Sequence, residues 1–598
     1  MQRRTLIKLA AGLLISPTAA FPAHAEPYRR VRPGEPGWPT EARWKELQGQ
    51  VGGRLIAVPR PLDACRADSP KGGADCESLF RSLKNPWAVG DSPALTQTSG
   101  WADAWVSTPS AYAVRAQSAP DVAAAVTFAR NHRLRLTVKG GGHSYQGTSN
   151  APDSLLIWTR AMDRIELHDA FVPQDCNTPP QPAVSLGAGV VWLNAYAAVT
   201  KAGRYVQGGG CTTVGVAGLI QSGGFGSFSK RYGLAAAGLL EAEVVTADGA
   251  VRIANACTNP DLFWALKGGG GGSFGVMTRL TLKTHDLPPL FGIALTSIKA
   301  SSDAAFRRLI ERFLVFYRDS LFNQTWGEIV RFRPDNVMEV AMVFQDLDQQ
   351  RAASVWQPLF AWVKEQGADY SFVQPPLFLH LPARSLWDAA FLKQNAPQMV
   401  LSDERPGASA TNVFWAGNLQ EAGWFLHAYQ STWMPATLLA DERLGALAQA
   451  LFDSTRHWRM TLHFNKGLAG APAEAIAAAQ DTATNPAVTE AFALAIAAAD
   501  GPPAFAGIAG HEPNLAKARG DAKRVSAAMG ALRKLVPKHG SYVSESDYFE
   551  ADWQGAFWGA NYARLRAVKD RYDPEGLFFV HHGVGSEDWS PDGFTRLT

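Results

Sequence analysis

The sequence lacks the most common signatures of nucleotide and metal binding. No glycine-rich run ends in the Gly-Lys-Ser/Thr of a P-loop. No G-x-G-x-x-G opens a helix with an acidic residue about 20 positions later, which a Rossmann fingerprint requires. The five cysteines form no C-x-x-C pair, and no H-x-x-x-H spacing occurs. We therefore expect no P-loop, no Rossmann domain and no metal site.

Strong net charge and long apolar runs are also missing. The net charge is only +3 over 598 residues and no long basic run occurs, so nucleic acid is not an expected partner. The apolar stretch that ends at Phe21 is short and is interrupted by Gly12 and Pro17, which argues against a stable membrane anchor. With 46% hydrophobic residues, the chain can bury a core large enough for two or more domains.

The first 25 residues have the pattern of an export signal. Arg3 and Arg4 precede the apolar stretch, and residues 23–25 form an A-x-A cleavage site. This pattern predicts a twin-arginine signal peptide over residues 1–25, recognised by the twin-arginine export machinery of a bacterium. The mature protein would begin near Glu26 and be periplasmic or secreted. A frayed cytoplasmic N-terminus is the alternative, but it would have to explain all three features together.

The cysteines fit an oxidising compartment. Cys65 and Cys76 enclose a short glycine-containing loop, and they are a plausible disulfide. Cys176 and Cys257 are a second candidate pair. Cys211 would then remain unpaired, which is the count expected if it holds a cofactor.

Two glycine-rich loops each present one reactive side chain. Residues 140–147 read GGGHSYQG and follow a predicted strand, and residues 208–218 read GGGCTTVGVAG. Glycines let the backbone approach a ligand closely, and converging N–H groups bind anions such as a pyrophosphate. Two tight turns with a surface His143 and a buried Cys211 are the simpler alternative. The same G-G-G before both residues favours a cofactor site.

Two further segments contain many small residues. Gly223, Gly224 and Ser227 follow the second loop and keep its backbone open to a ligand. Five consecutive glycines, residues 268–272, precede a strand pattern that begins at Gly275 and Val276. A low-complexity linker is the alternative for this run, but the strand pattern that follows at once favours close approach to a cofactor.

The two loops together resemble the berberine-bridge-enzyme-like group of FAD-linked oxidases, which have the vanillyl-alcohol-oxidase fold. The resemblance extends from about Trp105 to the end of the chain. It implies an FAD bonded twice, through its 8α-methyl group to His143 and through its carbon 6 to Cys211. Further cofactor contacts implied by the glycine loops and by this resemblance are Gly140, Gly141, Gly142, Ser144, Tyr145, Gly147, Thr212, Thr213, Val214, Gly215, Gly218, Gly223, Gly224, Ser227, Gly275, Val276 and Asn561.

The resemblance also implies an α+β fold with a two-part FAD-binding domain and an α+β substrate domain whose antiparallel sheet covers the flavin. We expect an N-terminal extension over residues 26–104, the FAD-binding domain over residues 105–287, the substrate domain over residues 288–540, and a C-terminal segment, residues 541–598, that returns to the FAD-binding domain.

Periodicity predicts several elements directly. A helix is expected over residues 122–130, a strand over residues 134–138 and a hairpin with an Asp-Gly turn over residues 243–253. The alanine-rich stretch over residues 471–499 predicts helix, interrupted at Asn485-Pro486.

The C-terminal signature differs from that of many relatives at one point. Where they have Asn-Tyr, with a tyrosine implicated as the catalytic base, this chain has Ser544-Glu545. Tyr548 and Glu545 are therefore candidate bases, ranked ahead of Tyr542, and His463 is a further candidate. For each one taken alone, a structural role is the favoured interpretation.

The expected reaction is oxidation of an alcohol, sugar or oligosaccharide at a hydroxyl-bearing carbon. A base removes the hydroxyl proton, the flavin accepts a hydride, and O2 reoxidises the flavin to give hydrogen peroxide. In relatives, a valine three positions after the linked cysteine is associated with oxidases, and this position is Val214. A dehydrogenase with a non-oxygen acceptor and a non-catalytic flavin-bearing binding protein are the alternatives.

Overall fold

The computed structural model describes residues 28–66, 73–538 and 540–597. The predicted signal peptide, residues 1–25, lies outside the described residues, as do residues 67–72 of the loop between Cys65 and Cys76.

The described residues form 21 strands. They are β1 Leu55–Ala57, β2 Gly100–Trp101, β3 Trp105–Val106, β4 Tyr112–Arg115, β5 Arg135–Lys139, β6 Ser154–Trp158, β7 Ile165–Phe171, β8 Gln181–Gly187, β9 Arg204–Val206, β10 Leu239–Val245, β11 Val251–Asn255, β12 Val276–Asp286, β13 Leu290–Ala300, β14 Trp326–Phe332, β15 Val337–Gln345, β16 Tyr370–Pro382, β17 Val400–Ser402, β18 Val413–Trp415, β19 Phe425–Pro435, β20 Met460–His463 and β21 Ala491–Gly501.

The same residues form 17 α-helices. They are α1 Glu41–Gln50, α2 Gly73–Leu83, α3 Pro86–Gly90, α4 Ala119–Asn131, α5 Trp192–Lys201, α6 Val216–Gln221, α7 Ser229–Tyr232, α8 Pro260–Leu266, α9 Asp303–Phe316, α10 Gln349–Glu365, α11 Ala389–Asn395, α12 Asp441–Thr455, α13 Ala473–Gln480, α14 Ala487–Glu490, α15 Leu515–Arg533, α16 Trp553–Trp558 and α17 Tyr562–Tyr572.

Two sheets carry the glycine-rich loops. A four-stranded sheet has the order β1-β4-β6-β5, and β5 leads directly into the His143 loop. A second sheet has the order β11-β10-β12-β8-β7, with β9 paired to β12. The Cys211 loop follows β9, and the five-glycine run precedes β12. All three glycine-rich segments therefore lie at strand ends, where the backbone leaves the hydrogen-bonded ladder.

The predicted local elements around these loops are confirmed. The helix expected over residues 122–130 is α4, and it begins with a capping box in which the Ser118 side chain accepts a hydrogen bond from the Asp121 N–H. The reciprocal bonds satisfy N–H groups that the first helical turn leaves free. The strand expected over residues 134–138 is β5, and the Asp-Gly hairpin is the antiparallel pair β10 and β11.

A nine-stranded sheet forms the second large layer, in the order β16-β13-β15-β14-β20-β21-β19-β2-β3. Its pairs are antiparallel, apart from the parallel pair of β19 and β2. Helices α9, α10, α12 and α15 pack against it through a large apolar cluster that includes Phe313, Trp356 and Leu447. The chain thus has the mixed helix and sheet fold with an antiparallel sheet that the sequence predicts.

The helix prediction for residues 471–499 is wrong in its second half. Helices α13 and α14 end at Gln480 and Glu490, but residues 491–501 form strand β21. This strand lies between β20 and β19, and its first seven residues are buried. Alanine favours helices intrinsically, but pairing and burial on both faces outweigh this weak propensity.

Two disulfides are present, Cys65–Cys76 and Cys176–Cys257, as the sequence predicts, and Cys211 is a free thiol. Among the described residues, no helix is both long and apolar enough to cross a membrane. In the same residues, no group of three or more His, Cys, Asp or Glu side chains is arranged to hold a metal ion.

Candidate active site

The two reactive loops pack directly against each other. A Cβ atom on Gly141 would lie 2.7 Å from the Thr213 carbonyl oxygen and 2.9 Å from the Gly215 nitrogen, so any other residue would push the loops apart. Gly142 has φ of +77°, and a Cβ there would lie 2.7 Å from Lys139 Cε. Only glycine adopts this conformation freely and leaves this space. The His143 Nε2 atom lies 3.0 Å from Thr213 Oγ1.

Both loops open into one cavity with a volume of about 1140 Å³. This is larger than the roughly 300–1,000 Å³ of an ordinary small-molecule pocket, and it can hold a dinucleotide together with a substrate. The predicted cofactor-binding residues that line it are Gly140, Gly141, Gly142, His143, Ser144, Tyr145, Cys211, Val214, Gly215, Gly218, Ser227, Gly275 and Val276. Three candidate bases, Tyr542, Glu545 and His463, line it as well.

Six other predicted cofactor residues do not line the cavity but support its walls. They are Gly147, Thr212, Thr213, Gly223, Gly224 and Asn561. A Cβ on Gly147 would lie 2.5 Å from the Trp105 ring, and Asn561 donates a hydrogen bond to the Thr484 carbonyl at 2.8 Å. Thr213 contacts His143 as described above.

The candidate base Tyr548 also lies off the cavity lining. Its ring stacks on His581 with a centroid distance of 3.7 Å, and its backbone carbonyl accepts a hydrogen bond from His581 Nε2 at 2.8 Å. Burial raises the pKa of the Tyr548 phenol, which makes it a weaker acid than free tyrosine. Its surroundings are those of a packed side chain.

The cavity fits an FAD at two places. None of the backbone N–H groups of residues 141–144 donates a hydrogen bond to another described residue, so they form a group of free donors beside the cavity. Free N–H groups on a glycine-rich turn bind phosphate oxygens. Elsewhere on the lining, the side-chain oxygens of Gln146 and Gln221 are buried without a donor among the described residues, and a nucleotide carries N–H groups that would satisfy them.

The electrostatics of the loops favour an uncharged His143. Burial, and then the charge of Lys139, lower the pKa of the imidazole to about 4, so its ring is neutral at pH 7 and has a free electron pair. Lys139 is itself buried, and its ammonium donates to the carbonyls of Val89 at 3.1 Å and Ser92 at 2.5 Å. Burial raises the pKa of the Cys211 thiol, which keeps it protonated before any reaction.

Carboxylates also line the cavity, on β14, on the loop before β19 and in the segment after α15. The Lys466 ammonium lies 2.5 Å from Glu545 Oε2, and the Ser227 hydroxyl donates to Glu328 at 2.5 Å. Glu421 also lines the cavity, but its carboxylate has no hydrogen-bond or ion-pair partner among the described residues. Burial, and then the charge of Glu545, raise the pKa of Glu421 to about 7.

Aromatic side chains from several segments also line the cavity. The Tyr145 ring packs against Trp424 and Tyr429, each at a centroid distance of 5.2 Å. The Trp415 indole donates to the Gly210 carbonyl at 3.0 Å, which ties the end of β18 to the Cys211 loop. Burial raises the pKa values of the Tyr145 and Tyr429 phenols well above the usual range, so both rings carry a hydroxyl at neutral pH.

Five residues that line the cavity are not predicted from the sequence: Glu421, Lys466, Tyr429, Trp415 and Gln221. Lys466 lies three residues beyond His463, just after strand β20. Glu421 lies in the loop before β19, and Trp415 lies at the end of the short strand β18. Neither residue is part of a sequence motif. The pairing of β19 and β20 with β21 brings Tyr429 and Lys466 to the cavity, while Gln221 reaches it from α6 and Trp415 from the end of β18.

Family models match two parts of the chain. Residues 110–255 match the model of an FAD binding domain, and residues 541–585 match the model described as berberine and berberine like. The first range contains both reactive loops, and the second contains Glu545 and Asn561.

Known proteins resemble the chain over most of its length. The FAD-linked oxidoreductase easE of Trichophyton verrucosum is 28% identical over 592 residues, which cover 94% of this chain and 91% of that protein. The crystal structure of the VAO-type flavoprotein MtVAO615 of Myceliophthora thermophila C1 superposes with a TM-score of 0.75 at 24% identity, covering 94% of this chain and 98% of the other.

A second solved structure is the glucooligosaccharide oxidase of Acremonium strictum, which carries a 6-S-cysteinyl, 8α-N1-histidyl FAD. It superposes with a TM-score of 0.59 at 18% identity, covering 80% of this chain and 92% of the other. Eight relatives found by sequence, easE of Trichophyton verrucosum among them, are fungal, so they give no support to the bacterial origin expected from the leader.

Proposed function

Because this chain is an FAD-linked oxidoreductase of the berberine-bridge-enzyme-like group with the vanillyl-alcohol-oxidase fold, we propose that it is an oxidase acting on a hydroxyl-bearing carbon of an alcohol, sugar or oligosaccharide. The observation that carries the proposal is the direct packing of the His143 and Cys211 loops at one large cavity. No other pair of a histidine and a free thiol among the described residues shares a glycine-rich wall in this way.

The proposed cofactor is an FAD bonded to both His143 and Cys211. The free N–H groups of residues 141–144 would bind the FAD pyrophosphate. The glycines at 270–272, which line the same cavity, leave room for the rest of the FAD molecule. Bound flavin supplies a hydride acceptor that O2 can reoxidise. The other proposed contacts are the lining and supporting residues predicted above, including Thr212, Gly218, Gly223, Gly224 and Asn561.

The wall of Tyr145, Tyr429 and Trp424 suits a sugar or another ring-containing alcohol, because aromatic faces stack on the apolar faces of rings. The likeness in fold to a glucooligosaccharide oxidase supports the same class of substrate. Unpaired hydrogen-bonding groups on this wall, including the buried Asn465 oxygen, can orient hydroxyl groups.

Glu421 is the group that we propose as the base. It lines the cavity, and its carboxylate forms no hydrogen bond or ion pair with a described residue. Its pKa of about 7 suits proton exchange at neutral pH. Both carboxylate oxygens of Glu545 contact the Lys466 ammonium, at 2.6 and 2.5 Å. Glu545 would therefore act only through its charge, which raises the pKa of Glu421. Tyr542 and His463 would shape the wall, and Tyr548 would pack behind it.

Covalent attachment is tested by precipitating the protein with acid. The wild type should stay yellow, and either His143→Ala or Cys211→Ala alone should also stay yellow, because one bond suffices to retain the flavin. Only the double variant should release FAD. Free flavin in the supernatant of the wild type would contradict attachment at either residue.

Export through the twin-arginine system is the proposed route to the periplasm, and the two disulfides fit an oxidising compartment. Replacing Arg3 and Arg4 with lysines should hold the protein in the cytoplasm of a bacterial host, because that pair is the address that the export receptor binds. Cell fractionation with immunoblotting measures this. Undiminished periplasmic protein from the variant would rule out twin-arginine export.

A further inference from the structure

The hydrogen bond between His143 and Thr213 engages one of the two ring nitrogens. Nε2 lies 3.0 Å from Thr213 Oγ1, whereas Nδ1 has no hydrogen-bond partner among the described residues. For Nδ1 to react through its electron pair, the proton of the neutral ring must be on Nε2. Thr213 is only 5% exposed, so water does not compete for this contact.

We propose that Thr213 is a positioning residue for flavin attachment, whose hydroxyl holds Nε2 of His143 so that Nδ1 forms the bond to the cofactor. This inference rests on the proposed attachment of FAD to His143. Thr213 does not line the cavity and acts only through the histidine.

The atoms of the attachment explain why a hydroxyl suits this position. When Nδ1 bonds to the 8α carbon, the methyl group loses one proton, Nε2 loses another, and two electrons remain in the ring system. O2 takes up the two electrons and two protons and becomes hydrogen peroxide. Nε2 thus changes from a donor to an acceptor. A hydroxyl can accept before the reaction and donate after it, which a methyl group in the same place cannot do.

The local fold holds the hydroxyl rigidly. A side chain at Gly141 would collide with the Thr213 carbonyl and the Gly215 nitrogen, and the Val214 carbonyl accepts a hydrogen bond from the Trp192 N–H at 3.1 Å. The threonine backbone is therefore fixed on both sides. Neutral His143, with its pKa of about 4, keeps the Nδ1 pair available throughout the neutral range.

The test uses Cys211→Ser as the background, so that only His143 can retain flavin. The full-length protein is produced in riboflavin-starved cells and isolated without flavin. FAD is then added to the protein, and the increase in acid-stable flavin is measured over time. Thr213→Val should slow attachment by about tenfold or more, which corresponds to about 1.4 kcal/mol in the barrier. Thr213→Ser should restore the rate. Thr200→Val is the matched control, because it removes another buried threonine hydroxyl, bonded to the Tyr196 carbonyl at 2.8 Å.

Equal attachment rates in Thr213→Val and its parent would overturn the inference. If Cys211→Ser itself gained no acid-stable flavin, attachment at His143 would be refuted and the inference with it. A second measurement does not depend on the folding of the variant: NMR of the flavin peptide from the Cys211→Ser protein. Linkage through Nδ1 is expected, and linkage through Nε2 would overturn the proposed role of Thr213 while leaving attachment itself intact.

Discussion

Replacing Glu421 with glutamine should slow the reduction of the bound flavin by about 10²- to 10⁴-fold, which is the usual contribution of a general base. Glutamine keeps the shape of the side chain but cannot accept the hydroxyl proton. Substrate binding should change far less than the reduction rate, because the lost interaction belongs to the transition state. Stopped-flow mixing of enzyme and substrate without oxygen measures both quantities.

The pH profile gives a second expectation for the same residue. Burial and Glu545 raise the pKa of Glu421 to about 7, and the base acts only when deprotonated. The reduction rate should therefore fall as the pH drops below about 7 and level off above it. Glu545→Gln serves as the comparison, because it removes one neighbouring negative charge and should shift the midpoint of this profile to lower pH. Reduction by Glu421→Gln at the wild-type rate, with Glu545→Gln inactive, would make Glu545 the base.

Replacing Val214 with leucine should slow the reaction of the reduced flavin with oxygen by about 5- to 150-fold. An added methylene in a packed site costs about 1–3 kcal/mol, and this range converts to that span in rate. Val214 lines the cavity, and its carbonyl is held by Trp192, so the backbone cannot easily withdraw. By resemblance to the family, this position lies beside the flavin carbon that reacts with oxygen.

The matched control is Val214→Ala, which adds no volume and should reoxidise as fast as the wild type. Reduction by substrate should barely change in either variant. Slow reoxidation of the wild type itself, in stopped-flow mixing with oxygenated buffer, would replace the oxidase with a dehydrogenase that uses another acceptor.

The parts of the site predicted from sequence are those encoded locally. The GGGH and GGGC loops need glycine at positions such as Gly141 and Gly142, because a Cβ would collide with Thr213 or Lys139, so the requirement is visible in the sequence itself. The helix α4 was predictable for the same reason, since its cap is formed by Ser118 and Asp121 within one turn.

Other parts depend on contacts between distant segments. Residues 491–501 become a strand because β19 and β20 pair with them, although their alanines favour helix. Glu421 lies in a loop without a motif, and only the packing of that loop against the cavity buries its carboxylate beside Glu545. Tyr548 has the right residue type close to the signature, but its ring stacks on His581 and does not line the cavity.

Anaerobic mixing with a panel of alcohols, sugars, oligosaccharides and phenols, followed by readmission of oxygen, tests the central claim most directly. The account predicts that at least one hydroxyl compound bleaches the protein-bound flavin. Oxygen should then restore the colour rapidly and release one hydrogen peroxide per flavin. Bleaching without peroxide on readmission of oxygen, or no bleaching by any hydroxyl compound, would contradict an oxidase acting on a hydroxyl-bearing carbon.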